Sequence, residues 1–249
     1  MSEKNYEEIK DGIGVSLMGV RGNEETLSQV PNVIVADLAV VFRQGDGDES
    51  RLVTNDDLKN WGVDAQHFSN DAMQNAPHSQ PAAIMRMDDV LGIPEEMRDP
   101  AAPILHVASN REGLFGAGVI SYPGFMDQAA EKLGGDFFIL PSSVHEVILL
   151  KADEPTTPSI SELKQMVTDI NATEVREDER LSDNVYHYDS REKVFEPAEQ
   201  FAERKAMEAQ TQAGKQSVLK DLRDKEKAAK AVKPKPPRAA DSKTKQEVL

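Results

Sequence analysis

Apolar positions along this chain change period several times. From Tyr6 to Met18, Ile9, Ile13 and Leu17 recur every fourth residue, which predicts a helix with one apolar face, weakened by Gly12 and Gly14. Over Val35 to Arg43 the period shortens to two. Leu38, Val40 and Phe42 fall on one side and Asp37, Ala39 and Val41 on the other, as in a strand. QGDGDES then predicts a turn, Arg51 to Thr54 a returning strand, and Asn55 a helix cap ahead of Asp56, Asp57, Leu58 and Trp61. Asp64 to Asn75 reads as a helix packing Phe68 and Ala72, and Ala76 to Pro81 as a loop.

Further along, Ala83 to Met87 predicts a strand and Met87 to Leu91 a helical turn closed by Gly92. Apolar Ile104 to Ala108 ends in Ser109-Asn110-Arg111-Glu112-Gly113, a turn that leads into an expected strand at Ala117 to Ile120. Pro123 opens a helix bearing Phe125, Ala129 and Leu133, stopped by Gly134-Gly135. Phe137 to Leu140 and Val147 to Leu150 are unbroken apolar runs of strand length, as expected for central strands or strands covered on both faces. Ser159 and Glu162 have the spacing of a capping box, and Ile160, Leu163, Val167 and Ile170 continue as an apolar stripe. Asn184 to Tyr188 is the last predicted strand.

The order from Ile104 reads β-β-α-β-β-α-β. Strands joined by a mere turn pair antiparallel, because a parallel crossover needs a dozen or more residues. The expected class is therefore α+β: a mainly antiparallel sheet with helices on one face, followed by a helical to disordered charged tail. The corresponding division is an N-terminal helical segment at 1–30, the α+β domain at 31–190 and the tail at 191–249. Within the tail, 196–231 favours helix interrupted at Gly214, and KPKPPRAADSKTKQEVL is disordered by composition.

Charge sharpens this division. Residues 1–190 carry 14 Lys and Arg against 34 Asp and Glu, a net of −20, whereas 191–249 carry 15 against 10, a net of +5. An acidic body repels phosphate backbones, so nucleic acid is not an expected partner except weakly through the basic tail. The chain has no cysteine, which removes disulfides, thiolate nucleophiles and Cys-ligated metals. The start MSEKNYEEIK lacks the basic and apolar regions of a secretory signal, and the apolar run Val33 to Phe42 is about half the length of a membrane helix. A cytoplasmic protein with no membrane partner is expected.

Five strings occur in order: DLAVVF from Asp37, the stretch ending at Trp61-Gly62, SNREGLFGAGVISYPG from Ser109, ILPSSVHEVILL from Ile139 and LSDNVYHYD from Leu181. Together, over about Tyr6 to Asp189, they resemble an uncharacterised bacterial family of gut anaerobes defined only as a domain of unknown function. A weaker similarity relates the chain to the YtpQ-like uncharacterised proteins. The resemblance implies no activity. It implies a further N-terminal region before Tyr6, and an asparagine where this chain has Gly19.

The densest polar cluster is Ser142-Ser143-Val144-His145-Glu146, directly after an apolar strand. Hydroxyl, imidazole and carboxylate are the groups of a nucleophilic hydrolase, but neighbours on extended chain point to opposite sides, and no Gly-x-Ser-x-Gly elbow is present. The simpler reading is a turn between antiparallel strands. No pair of the five histidines has the spacing of a helical zinc motif, although His106, His145 and His187 lie on or near predicted strands and can converge with Glu146 or Asp189. The spacing of Gly113, Gly116 and Gly118 matches no nucleotide fingerprint, and backbone turns account for these glycines. No cofactor and no metal is expected. The sequence supports a non-enzymatic binding or regulatory module for a protein partner or small ligand, with Ser109, Asn110, Ser142, Ser143, His145 and Glu146 as the polar cluster that is either a site or a structural tie. The alternative is a hydrolase using Ser143, His145 and Glu146.

Overall fold

The computed structural model describes residues 5–45 and 47–231. It divides into two compact units, Met1–Ala202 and Glu203–Leu249. Two antiparallel sheets build the first. In the smaller, β1 (Ile13–Gly19) and β2 (Asn32–Val35) flank β3 (Leu38–Gln44), and β4 (Arg51–Leu52) adds to the end of β3. The larger sheet has six strands: β5 (Ala82–Arg86), β6 (Leu105–Asn110), β7 (Phe137–Leu140), β8 (Val147–Lys151), β9 (Tyr186–Asp189) and β10 (Val194–Pro197). Their spatial order is β10-β9-β7-β8-β6-β5. The α+β class and antiparallel pairing are those expected from the short connections.

Both faces of the larger sheet are covered, which is why β7 is apolar throughout and β8 is apolar from Val147 to Leu150. Phe137, Ile139, Val147, Leu149, Tyr186 and Tyr188 face the main core, shared with β1, β3, α4 (Ala65–Ser79) and α6 (Phe125–Leu133). Phe138, Leu140, Leu150 and Val185 face a second core with Leu163 and Val167 of α7 (Ile160–Thr173) and Ala198. The Ser159–Glu162 capping box closes the N-terminus of α7 in both directions, as the spacing predicts. Ile170 lies outside the buried stripe and is exposed.

Several local readings are corrected. Tyr6–Met18 is not one helix: α1 (Tyr6–Ile9) and a 3-10 turn lead into β1. Ile13 and Leu17 recur with Ile9 at every fourth residue but also alternate with Val15, and hydrogen bonding to β3 selects the strand. The extended run at Val35 is broken at Ala36, whose φ of 57° turns the chain between β2 and β3. Thr54 caps α3 (Asn55–Trp61), and Asn55 is its first residue. Helix α4 continues past Ala76 to Ser79, with Pro77 inside its last turn. Ala117–Ile120 lies in a buried 3-10 helix, Gly116–Ser121, and the order from Leu105 becomes β-α-β-β-α-β-β because Val194–Pro197 forms a further strand against β9.

The remaining helices are short, α2 (Glu24–Gln29) and α5 (Met87–Val90), except for α8 (Ala198–Ala231). The latter runs unbroken through Gly214, where a break was expected. Its apolar Met207, Val218, Leu219 and Leu222 are exposed in the second unit, between charged positions that include the Arg204–Glu208 pair. The expected disorder from Lys233 onward lies outside the described residues. Among the described residues, no helix is long and apolar enough to cross a membrane.

Candidate functional site

Antiparallel pairing of β6 with β8 places the end of one strand beside the start of the other, with Ala108 opposite Val147. The turn after β6 and the loop before β8 therefore emerge at the same sheet end. Ser109 is buried there, and its Oγ donates to the carbonyl of His145 at 2.7 Å. Asn110 ties its own turn, donating from Nδ2 to the Leu114 carbonyl and accepting the Gly113 N–H, both at 2.8 Å. Gly116 lies in the angle between these segments. A β-carbon there would stand 2.5 Å from the Asn110 nitrogen and 2.8 Å from the His145 oxygen, so the glycine serves backbone packing.

The other side of the loop is braced from a distance. Val144 donates to the Glu179 carbonyl, Leu181 to Ser142 and Ser182 to Pro141, so residues 141–144 run beside 179–182 as an irregular ribbon. Ser143 Oγ accepts the backbone N–H of His145 at 3.1 Å, and Ser142 takes part through its carbonyl. Glu146 is exposed and makes no side-chain hydrogen bond among the described residues. The carboxylate that faces His145 is Glu179, with Oε1 3.5 Å from Nε2. His145 Nδ1 accepts the Phe115 N–H at 3.2 Å, so in the neutral ring the proton sits on Nε2, toward Glu179.

Phe115 is held in the left-handed region, with φ 51° and ψ 23°, a conformation that costs a bulky residue about 1 to 2 kcal/mol. Its ring lies 5.5 Å from that of His145, and the Arg43 guanidinium stacks on it at 3.7 Å. Arg43 donates to the Oγ and carbonyl of Ser50 and has no carboxylate within ion-pair distance among the described residues. Partial burial lowers its pKa. Arg43, Phe115, His145, Glu179, Arg176 and Arg180 surround a cleft of about 280 Å³ floored by β1 and β3. Arg176 is engaged by Asp178 and Glu179, whereas Arg180 is exposed and donates to the Val175 carbonyl.

His106, His145 and His187 do not converge on one site. His106 and His187 lie on opposite faces of the larger sheet, and His187 is enclosed between Phe138 and Phe201. Asp189 accepts the N–H groups of Arg191 and Glu192 in the β9–β10 turn. Among the described residues, no group of three or more His, Asp or Glu side chains is placed to hold a metal ion.

Sequence reading missed Arg43, Phe115 and Glu179. Arg43 had a weak signal, as a lone cation ending an apolar strand in an acidic body. Phe115 lies inside the SNREGLFG string. Glu179 had none, because only the pairing of 141–144 with 179–182 brings it to His145. The first and last of the five strings also meet: Asp37 accepts from Ser182 Oγ at 2.6 Å, from Asn184 Nδ2 at 2.9 Å, and from the Tyr186 hydroxyl. At Gly19 a β-carbon would lie 2.4 Å from the Leu181 carbonyl, so this chain has no room there for the asparagine that the resemblance implies.

Fold and cleft together define an α+β protein of two antiparallel sheets with a polar, arginine-bearing cleft beside the smaller one. The chain belongs to the family of unknown function DUF5688, whose profile matches residues 1–190. That span contains all five strings and every residue of the cleft. No curated protein and no solved structure matches the chain significantly.

Proposed function

We propose that this protein is a non-enzymatic cytosolic binding module whose cleft takes a small anionic ligand bearing a carboxylate or phosphate. The observation that carries this reading is Arg43. It is a partly buried cation stacked on a strained Phe115, without a carboxylate partner among the described residues, in a body of net charge −20. A guanidinium without a carboxylate partner among the described residues is poised for an anion from solution. His145 across the cleft supplies a second donor through its Nε2–H.

Binding is favoured over hydrolysis by the bonding of the loop. Ser143 Oγ is turned to a backbone N–H, and His145 Nδ1 is occupied by the Phe115 amide, so serine and imidazole are not arranged as nucleophile and base. The test is titration of the full chain with inorganic phosphate and with succinate, followed by amide and imidazole NMR. Saturable shifts at Phe115 and His145, lost in a folded Arg43→Met variant, are expected. Absence of shifts with both anions, or equal shifts in the variant, would refute the reading.

A further inference from the structure

A second cleft, of about 450 Å³, opens on a different part of the first unit, between the β3–β4 hairpin and α3. Its size lies within the usual range of small-molecule sites, about 300 to 1,000 Å³. Helix α3 contributes Asp57, Asn60 and Trp61, which share one face by their spacing of three and four. The hairpin contributes Gln44 and Arg51, and Asn5 closes the rim.

Among the described residues, the charges lining this cleft cancel. Arg51 grips both oxygens of Asp57, at 2.6 and 2.9 Å, and donates to Gln44 Oε1 at 2.8 Å. Asp57 also accepts the N–H and hydroxyl of Thr54. An ionic ligand gains no unopposed charge here, in contrast to the Arg43 cleft. What remains available is a set of carboxamides. Gln44 is oriented by Arg51 with its NH2 group left over, and the side chains of Asn5 and Asn60 make no hydrogen bond among the described residues. Carboxamides donate and accept at once, as hydroxyl groups require.

Trp61 adds an aromatic wall. It is half-buried, stacked on Tyr6 with ring centroids 6.2 Å apart, and still lines the cleft. An indole held firmly in this way offers a flat apolar surface to the C–H face of a ring ligand, while amides meet its hydroxyls. We infer that this cleft is a binding site for a neutral sugar, a mono- or disaccharide, with Trp61 as stacking platform and Asn60, Gln44 and Asn5 as hydroxyl partners. Glycoside hydrolysis is not part of the inference. It requires two carboxyl groups, one of them able to deliver a proton, and the single carboxylate that lines the cleft among the described residues is engaged by Arg51 and Thr54.

Trp61 is the only tryptophan in the chain, so intrinsic fluorescence reports on this cleft directly. The full chain is titrated with methyl α-glucoside, methyl β-galactoside, N-acetylglucosamine, maltose and cellobiose, to about 50 mM, because millimolar affinity corresponds to only about 4 kcal/mol. At least one sugar is expected to give a saturable change in Trp61 emission. Asn60→Ala, at an exposed position, should keep the melting temperature and weaken that binding about tenfold. The inference is overturned if no sugar in the panel gives saturation, if Asn60→Ala binds as wild type does, or if inorganic phosphate displaces the sugar.

Discussion

The carboxylate of Asp37 and the side-chain amide of Asn184, 147 residues apart in sequence, meet at 2.9 Å. Asp37 occupies the turn between β2 and β3, and Asn184 leads into β9, so one acidic side chain fastens the smaller sheet to the larger. Ser182 and Tyr186 donate to the same carboxylate, and Tyr186 is fully buried. Asp37→Ala leaves these donors without their acceptor and should cost about 2 to 4 kcal/mol in urea denaturation. A loss below about 0.5 kcal/mol would mean that the sheets hold together without this contact.

Helix α7 offers a test of packing against surface charge. Leu163 is fully buried against the larger sheet, and Leu163→Ala should destabilise by about 2 to 5 kcal/mol. Its neighbour Lys164 points outward to an ion pair with Glu199 at 2.8 Å. Lys164→Ala should cost at most about 1 kcal/mol. Similar midpoints for the two variants would contradict the assigned helix face.

Ser109 and Gly116 test the tie between the β6 turn and the loop before β8. Ser109→Ala removes the donor to the His145 carbonyl and should cost about 1 to 3 kcal/mol. Gly116→Ala should be worse, because its new β-carbon meets backbone atoms of Asn110 and His145 that have no free rotor to move aside. Thermal melts that rank Gly116→Ala above Ser109→Ala in stability would show that the segments are not packed this closely.

Asp57 links stability to acid. Its ion pair and hydrogen bond with Arg51, with further bonds from Thr54, lower its pKa to about 2. A carboxyl depressed on folding stabilises the native state above its unfolded value, near 4, and the contribution fades as pH falls toward 2. Allowing for the half-exposed Arg51, the contribution at neutral pH is on the order of 1 to 2 kcal/mol. In urea unfolding, the difference between wild type and Asp57→Asn should therefore be largest at pH 6 to 7 and shrink through pH 4 to 2. A difference independent of pH would assign the effect to lost cap geometry instead.

Local patterns in the amino-acid sequence determined the elements whose stabilising groups are close in the chain. The Ser159–Glu162 capping box set the start of α7, the stretch from Phe125 to Gly134 set α6, and the apolar runs set β7 and β8. Short connections between those strands fixed antiparallel pairing and with it the α+β class. Elements that depend on a distant partner were not legible. Ile13 and Leu17 suit a helix face with Ile9 or a strand face with Val15, and the choice came from the neighbouring β3. Val194–Pro197 has no apolar pattern of its own and is a strand because β9 is beside it. The candidate site divides in the same way. Polar turns after β6 and before β8 were visible as Ser109, Asn110 and Ser142 to Glu146, yet the carboxylate facing His145 is Glu179 and not its neighbour Glu146. Successive side chains on extended backbone point apart, so adjacency in sequence separates His145 from Glu146, and only the ribbon of 141–144 with 179–182 supplies the partner.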